Sequence, residues 1–354
     1  MDKILTVIVP TYNMEKYLHR CLDSLIVKDQ SLFNQLEVLV INDGSKDSSS
    51  AIAHEYESRF PNTFRVIDKE NGNYGSCVNR GLKEATGKYV KVLDADDTFD
   101  TANFQKFLKS IQATDSDCVL TDMVQVSEVG GGTKICNFTL PSETRFSLEK
   151  LTGENCQKLW MHCVCYRAEN LRRINYFQTE GISYTDQEWL FLPMATCKEI
   201  EYWPCVLYQY LVGRAGQTID TAVWERNFWM EIKGLQTMMT ERKNCNTYVF
   251  NTKYLDERIA IRIKVIYFAF FVLFKTSLNN NLVRDLDIEL KDWNPKLWES
   301  VSDRSLTSRF FLYKIVKRWR RLGYNSNRLS IRFYRMVIRQ IGLVKKMIKN
   351  FLFL

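Results

Sequence analysis

The chain has 354 residues, of which 45% are hydrophobic and 13% aromatic, and its formal net charge is +8. This composition excludes a disordered or collagen-like chain and predicts a globular protein with one large or two ordinary domains. The positive charge is local, because residues 304–354 contain 14 Lys and Arg and no Asp or Glu. The longest apolar run, Val265 to Phe274, is too short to cross a bilayer, which needs about 20 residues.

Ten cysteines are scattered singly along the chain and form no CxxC pair. This usage predicts reduced thiols in a cytoplasmic protein. The segment His162-Cys163-Val164-Cys165 is the nearest approach to a metal pattern, but a structural zinc site needs four ligands. We therefore expect Cys163 and Cys165 to be small core residues on one face of a strand. Residues 4–9 already resemble a buried strand, so we expect no secretory leader.

The N-terminal hundred residues alternate short apolar runs with segments of helical periodicity. The order βαβαβαβ predicts a doubly wound, mostly parallel, Rossmann-like α/β sheet with right-handed crossovers. The predicted strands are 5–9, 37–41, 64–67 and 89–93, and the predicted helices are 15–26, 49–58 and 76–84.

Polar residues follow several of these strands at the point where each one ends. Thr11 and Tyr12 follow the first, Asp43 follows the second, and the fourth runs into Asp94-Ala-Asp96-Asp97. Ligands of such sheets bind beyond the carboxyl ends of the strands.

Three acids in four positions repel one another unless they share a cation, and carboxylate oxygens suit Mg²⁺ or Mn²⁺. The alternative is that Asp96 or Asp97 caps a helix predicted at 101–111. The chain contains neither GxxxxGK[ST] nor GxGxxG after its first strand, which disfavours a P-loop NTPase or an ordinary NAD enzyme.

Four segments in order resemble the family 2 inverting glycosyltransferases, which have the GT-A fold. They are Val7-Ile-Val-Pro-Thr-Tyr-Asn13, Val40-Ile-Asn-Asp-Gly-Ser45, the segment from Lys69 to Gly81, and Gly87-Lys-Tyr-Val-Lys-Val-Leu-Asp-Ala-Asp-Asp97. The match is close from Lys3 to about Phe99 and looser to about Gln217. The resemblance implies a catalytic domain at 1–220, with a nucleotide-sugar half at about 1–100 and an acceptor half at about 101–220. A helical region follows at 221–354.

The resemblance also implies roles for individual residues. The residues that would wrap the nucleotide base are Pro10, Thr11 and Tyr12. Asp43 would recognise uracil or ribose, and Asp94 and Asp96 form the family's DxD. Asp96 is then the metal ligand, with Asp94 as the alternative, and the cofactor is Mg²⁺ or Mn²⁺. Donors in this family are usually UDP-sugars.

The segment from Glu180 to Leu190 resembles the family's base motif, a carboxylate that opens a helix. An inverting enzyme needs one general base to take the proton of the acceptor hydroxyl. We assign this role to Asp186, with Glu188 as the alternative. The competing interpretation is that Thr185 or Asp186 is only a helix N-cap, and Trp189 either flanks the acceptor sugar or lies in the core.

Downstream, residues 202–210 are predicted to form a strand, and Arg214 in the next loop is a candidate contact to the donor phosphates. Residues 127–142 are predicted to form a hairpin or an excursion on the acceptor side.

From Trp224 onward the pattern is helical. The last helix carries an apolar stripe at Phe333, Val337, Ile341, Val344, Ile348 and Leu352, with basic residues opposite. A basic amphipathic helix of this kind, within a tail at about 304–354, predicts binding to an anionic membrane surface. The alternatives are docking on the chain's own domain or a homodimer contact.

Together these observations predict a metal-dependent inverting glycosyltransferase, transferring a hexosyl or N-acetylhexosaminyl group in bacterial surface polysaccharide biosynthesis, such as capsule or exopolysaccharide. Its acceptor would be a glycan or a lipid-linked hydroxyl, and its location the cytoplasmic face of the plasma membrane. The alternatives are a nucleotidyltransferase on the same sheet and a nucleic-acid-binding protein that uses the basic tail. We expect no nucleic-acid partner, because the tail has no recognised motif and its apolar stripe would serve no purpose there.

Overall fold

The structure is a computed structural model, and it describes residues 2–128, 133–142, 144–214, 217, 220–245, 248–274, 278–303, 312–327 and 329–340. The chain forms two compact units. The first contains residues 1–214 and 245–254, and the second contains residues 215–244 and 255–354.

The first unit is built on one mixed sheet. Its strands among the described residues are β1 (Leu5–Thr11), β2 (Leu36–Asn42), β3 (Phe64–Asp68), β4 (Tyr89–Val92), β5 (Thr98–Phe99), β6 (Cys118–Ser127), β7 (Lys134–Cys136), β8 (Arg145–Phe146), β9 (Val164–Arg167) and β10 (Ile200–Val212). The main order is β3-β2-β1-β4-β9-β6-β10-β5, with β7 on β6 and β8 on β10. The first four strands pair in parallel, whereas β9 runs antiparallel between β4 and β6. The predicted doubly wound sheet is confirmed, and its second half is mixed, because β6 and β10 pair in parallel whereas their other pairings are antiparallel.

Short helices connect the strands of this unit. They are α1 (Leu18–Asp23), α2 (Gln30–Asn34), α3 (Ser49–Arg59), α4 (Asn73–Glu84), α5 (Thr101–Ile111), α6 (Glu154–Gln157), α7 (Ala168–Arg173), α8 (Asp186–Trp189) and α9 (Leu192–Ala195). Every residue of β1 and β2 is buried, as expected for parallel strands covered on both faces. Helix α4 lies close to β1 at Gly81, where an added Cβ would be 2.5 Å from a side-chain carbon of Ile8.

Several predicted boundaries are wrong by a few residues. The helix predicted at 15–26 is only α1, because Asn13 has a left-handed backbone (φ 54°) and residues 14–17 form a turn. Helix α4 begins three residues before its predicted start. The predicted hairpin at 127–142 is present as the antiparallel pair β6 and β7, and residues 129–132 between them lie outside the described part.

The second unit is helical in the part that the structure describes, which confirms the predicted C-terminal region. Its helices are α10 (Thr221–Arg226), α11 (Phe228–Lys243), α12 (Thr252–Phe268), α13 (Asn280–Trp293), α14 (Pro295–Val301), α15 (Leu312–Arg321) and α16 (Leu329–Gln340). Helix α12 begins within the 245–254 stretch of the first unit and continues directly into a π-helical turn, Ala269–Leu273. None of the helices in the described residues combines the length and apolar character needed to cross a membrane. Residues 341–354, which carry most of the predicted apolar stripe, lie outside the described part.

A buried ion pair lies at the centre of the helical unit. Asp287 on α13 is fully buried and accepts hydrogen bonds from Trp298 Nε1 at 2.8 Å, Arg320 Nη2 at 2.6 Å and Tyr324 Oη at 3.2 Å. The hydroxyl of Tyr267 also donates to it, and the Arg320 guanidinium lies 4.0 Å from the Trp298 ring centroid. One carboxylate therefore joins four separate segments of this unit.

We expect Asp287→Ala to lower the free energy of unfolding by about 3–5 kcal/mol, because Arg320 would be left as a buried charge without its partner. The matched control is Asp285→Ala on the same helix, where the exposed carboxylate pairs with its neighbour Arg284. That change should stay within about 0.5 kcal/mol. Urea unfolding followed by circular dichroism measures both, and equal midpoints for the two variants would contradict the role given to Asp287.

Candidate active site

The polar residues that follow the parallel strands meet at one edge of the sheet. Thr11 pairs with Asn42 at the ends of β1 and β2, and the amide of Asp43 donates to the Thr11 carbonyl at 2.8 Å. Residues 94–97 follow β4, the other neighbour of β1. The structure thus brings together the residues for which the sequence predicted a nucleotide site.

Asp43, the first residue after β2, lies at this edge of the sheet and is nearly fully buried. Its Oδ1 accepts from the Gly72 amide at 2.9 Å and pairs with the ammonium of Lys69. The Asn71 amide group donates to the Asp43 carbonyl at 3.0 Å. The loop after β3 therefore fixes this carboxylate, a contact between distant segments that spacing alone did not indicate.

The three residues after the first strand differ in what they can offer a ligand. Pro10 and Thr11 are buried members of β1, and the Thr11 hydroxyl donates to the Val9 carbonyl at 3.1 Å. Tyr12 is 45% exposed. Its ring is therefore the part of this segment that is open to a base.

We call the carboxylates of Asp94, Asp96 and Asp97 the acid cluster, and two of them accept hydrogen bonds from tyrosine hydroxyls. Tyr74 donates to Asp94 Oδ1 at 2.7 Å, and Tyr208 donates to Asp97 Oδ2 at 2.7 Å. Asp97 is fully buried and also accepts from the Leu211 amide at 2.7 Å. Burial, followed by repulsion from Asp96 and Asp94, raises the pKa of Asp97 well above its usual value.

Asp96 makes a different set of contacts. Its carboxylate pairs with Arg214, whose guanidinium lies 5.8 Å from the Tyr17 ring centroid. Burial raises the pKa of Asp96, and the charge of Arg214 opposes that rise. Arg214 thus lies at the acid cluster and contacts one of its carboxylates.

The capping interpretation of the acid cluster is wrong. Helix α5 is capped by Asp100, whose Oδ1 accepts from the Asn103 amide at 2.9 Å. Asp96 and Asp97 instead point into the structure, where their hydrogen bonds go to Arg214 and to β10.

Asp94, Asp97 and His162 form a possible cation site. One possible ligand atom of each residue lies within 4.8 Å of the others. Among the described residues, this is the group of His, Cys, Asp or Glu side chains that is close enough to hold a metal ion. His162 Nε2 lies 3.6 Å from Asp94 Oδ2. Two carboxylates and an imidazole are a ligand set that a divalent ion such as Mn²⁺ accepts. The donor set therefore fits a divalent metal.

Sequence reasoning missed His162, which it considered only within an incomplete zinc pattern. The residue comes from a 3₁₀ turn, Met161–Cys163, that precedes β9, far along the chain from Asp94. Cys163 and Cys165 are buried core residues, as expected, and burial raises the pKa of both thiols to about 12.

The loop that carries Asp186 packs on the start of α4. The Gly181 amide donates to the Gly72 carbonyl at 3.0 Å, and the Asn79 side chain bonds both the amide and the carbonyl of Gln178 at 2.8 and 2.9 Å. Gly75 is in such close contact that an added Cβ would be 2.2 Å from the Thr179 carbonyl oxygen. Helix α4, next to the sheet edge where Asp43 and the acid cluster lie, thus contacts this loop directly and positions it.

Asp186 is the first residue of α8 and is half-buried. Its charge contributes to the raised pKa values of Tyr74 and Tyr210, in both of which burial is the largest cause and Asp94 also takes part. The charges of Asp186 and of the acid cluster therefore both raise the pKa of the Tyr74 and Tyr210 hydroxyls.

The neighbours of Asp186 have structural roles. Glu188 is buried and accepts from the Thr179 amide at 2.7 Å, which closes the loop. Thr185 occupies the N-cap position of α8, but its hydroxyl donates to Gln178 Oε1 at 3.0 Å and makes no capping hydrogen bond, and Asp186 is the first residue inside the helix. Trp189 is fully buried against Tyr166 and is a core residue.

Parts of this chain are similar to a known protein family and to known proteins. The model described as glycosyl transferase family 2 matches residues 6–174. The uncharacterized glycosyltransferase EpsJ of Bacillus subtilis (strain 168) is 34% identical over 119 residues, which are 34% of this chain and 33% of EpsJ. The minor teichoic acid biosynthesis protein GgaB of the same organism is 38% identical over 104 residues, which are 29% of this chain and 11% of GgaB. The chain thus matches a third or less of the length of these relatives.

Among solved structures, S. aureus TarS 1-349 in complex with UDP-GlcNAc is similar to this chain with a TM-score of 0.68 and 20% sequence identity. The superposition covers 96% of this chain and 92% of that chain. The similarity shows a shared fold, and the predicted GT-A fold with a helical C-terminal region is confirmed.

Proposed function

We propose that this chain transfers a sugar from a nucleotide sugar to an acceptor hydroxyl with inversion, because its residues 6–174 match the model described as glycosyl transferase family 2. The observation that carries the proposal is the convergence of Asp43 and the acid cluster 94–97 at one edge of the sheet, with the loop that leads to Asp186 packed on the neighbouring helix α4. We assign the reaction to residues 1–220 and regard residues 221–354 as an appended helical region.

The proposed donor is a UDP-sugar with a hexosyl or N-acetylhexosaminyl group. The complex of TarS with UDP-GlcNAc supports this choice, since that protein has the same fold. In this chain the ring of Tyr12 would contact the base, and Asp43, held by Lys69 and Gly72, would bind uracil or ribose.

Asp94 and His162 are the residues that we propose to hold Mn²⁺ or Mg²⁺, with Asp97 behind them. The bound ion would offset the negative charge that develops on the leaving diphosphate. Asp96 is the ligand that the family resemblance implies, and in that role it would exchange its contact with Arg214 for the ion. The freed guanidinium of Arg214 would then be available to a donor phosphate.

In the proposed reaction the acceptor oxygen attacks the anomeric carbon while the bond to the nucleoside diphosphate breaks on the opposite face. Asp186 takes the proton of the acceptor hydroxyl. The loop contacts of Glu188 and Asn79 keep Asp186 in place relative to Tyr74 and the acid cluster.

The proposed acceptor is a glycan or a lipid-linked glycan of a bacterial surface polymer such as a capsule or exopolysaccharide. The similarity to GgaB supports this class, because GgaB is described as a minor teichoic acid biosynthesis protein.

The first test is calorimetric titration of the protein with UDP, once with Mn²⁺ and once with EDTA. We expect binding with Mn²⁺ and at least tenfold weaker binding with EDTA. Product analysis then separates the alternatives, since a glycosyltransferase consumes a UDP-sugar whereas a nucleotidyltransferase joins a sugar phosphate to UTP. Absence of UDP binding in both conditions, or product only from UTP, would contradict the proposal.

We further propose that the protein binds the cytoplasmic face of the plasma membrane through its C-terminal helices. Leu329, Phe333 and Met336 on α16 are 83%, 62% and 47% exposed, and their spacing of four and three residues puts them on one face. The surrounding tail has basic residues and no acids from 304 onward, which complements anionic lipid.

Phe333→Glu is expected to weaken binding to phosphatidylglycerol vesicles about tenfold, because inserting one aromatic side chain contributes about 1.5–3 kcal/mol. The control is Ile288→Glu, an exposed apolar residue on α13 of the same unit that is flanked by acids. Vesicle co-sedimentation measures both variants. Unchanged binding of Phe333→Glu, a stable dimer disrupted by it, or preferential binding to single-stranded RNA at the same salt would each contradict a membrane role.

A further inference from the structure

Lys91 is a fully buried lysine in the otherwise apolar strand β4, three residues before Asp94. A buried ammonium costs free energy unless polar groups surround it. Its Nζ donates to the carbonyl oxygen of His162 at 2.7 Å and to that of Val164 at 3.2 Å.

These two carbonyls lie where the backbone ladder between β4 and β9 ends. The strands pair at Tyr89 with Arg167 and at Val90 with Tyr166. Beyond this last pair, the next residue toward the start of β9, Cys165, pairs with Val119 of β6, and the 3₁₀ turn Met161–Cys163 lies directly before β9. The side chain of Lys91 therefore bonds the partner segment past the last backbone pair and holds the turn against the strand that leads to Asp94.

The imidazole of His162 is enclosed by two aromatic rings. Its centroid lies 4.6 Å from that of Tyr208 and 4.8 Å from that of Tyr210. Only 7% of the residue is exposed, and Nε2 faces Asp94 at 3.6 Å. The two tyrosine rings limit the movement of the imidazole, while the hydrogen bond from Lys91 fixes the backbone carbonyl of His162.

We propose that Lys91 is a positioning residue that holds the His162 imidazole at the acid cluster. The part of this role that concerns a divalent cation rests on the proposed function, whereas the placement of the ring does not. Lys91 touches neither donor nor acceptor in this scheme and acts only through His162.

The placement is tested without metal by NMR of the histidine ring signals. The chain has three histidines, His19, His54 and His162, so His162→Ala assigns the third signal. In the wild type the Tyr208 and Tyr210 rings should shift the His162 ring proton away from the position of His54, which is half-exposed. In Lys91→Met that displacement should be lost while the His19 and His54 signals stay in place. An unmoved His162 signal in a folded Lys91→Met protein would overturn the proposal.

The connection to metal binding is tested by a double-mutant cycle on Mn²⁺ affinity in the presence of UDP. Lys91→Met should weaken Mn²⁺ binding about tenfold or more, as is usual when a group that orients a metal ligand is lost. In the His162→Ala background the same change should have no further effect. Additive losses would mean that Lys91 acts by another route, which overturns the proposal.

Two outcomes are kept apart by this design. If the wild type binds no Mn²⁺, the metal assignment of the proposed function fails, and the NMR result still decides the placement role of Lys91. If Lys91→Met does not fold, all three histidine signals will collapse together. Lys91→Gln, which keeps an N–H donor on an uncharged side chain, then takes its place, and an intermediate displacement of the His162 signal is expected.

Discussion

Asp186→Asn is expected to lower the rate of sugar transfer about 10²–10⁴-fold, the usual contribution of a general base, while UDP affinity changes less than about twofold. The amide has the shape of the carboxylate but cannot take the proton of the acceptor hydroxyl. UDP binding should persist, because the proposed UDP contacts lie at Tyr12, Asp43 and the acid cluster. Initial rates with a UDP-sugar and calorimetry with UDP measure the two quantities.

The matched control is Glu188→Gln, two positions along the same helix. Glu188 is buried and bonded to the Thr179 amide, so the amide substitution should perturb the loop and keep the rate within about tenfold of the wild type. Near-normal transfer by Asp186→Asn, together with a large loss in a folded Glu188→Gln protein, would move the base assignment to Glu188.

Asp94→Ala is expected to abolish the Mn²⁺-dependent part of UDP binding and to lower the rate of transfer about 10³-fold. The reason is that a bound cation contributes several kcal/mol to stabilising the developing charge, and each 1.36 kcal/mol is about tenfold in rate. Asp94 is the carboxylate that faces His162 and is oriented by the Tyr74 hydroxyl. Calorimetry with Mn²⁺ and UDP, followed by rate measurements over a range of Mn²⁺ concentrations, provides the result.

Asp96→Asn is the comparison that separates the two possible ligands. If Asp94 holds the ion, Asp96→Asn should retain Mn²⁺-dependent UDP binding while weakening the contact to Arg214. The opposite pattern, with binding lost in Asp96→Asn and kept in Asp94→Ala, would assign the metal to Asp96 as the family resemblance implies. Thermal unfolding of both variants distinguishes loss of the ligand from loss of the fold.

The parallel strands and the location of the acid cluster could be predicted because both depend on local pattern. Predominantly apolar runs such as Leu5–Val9 and Val38–Ile41 are buried on both faces of the sheet, and the turn residues after them mark the strand ends. Since parallel strands end at the same edge, chain order alone was enough to bring Asp43 and Asp94 together. The βαβ order likewise determined that helices cover the sheet.

The contacts that complete the site were decided by tertiary structure. His162 reaches Asp94 and Arg214 reaches Asp96 because distant strands and loops are brought together in a register that packing sets. The sequence shows Lys91 as a charged residue within an apolar run. Its partners are backbone carbonyls more than 70 residues away, and the spacing of side chains does not predict such contacts. Local periodicity thus determined which edge of the sheet carries the chemistry, while the long-range closure of the chain decided which side chains face one another there. A hydrogen bond or ion pair depends on distance in space, and separation along the sequence does not encode that distance once the chain turns back on itself.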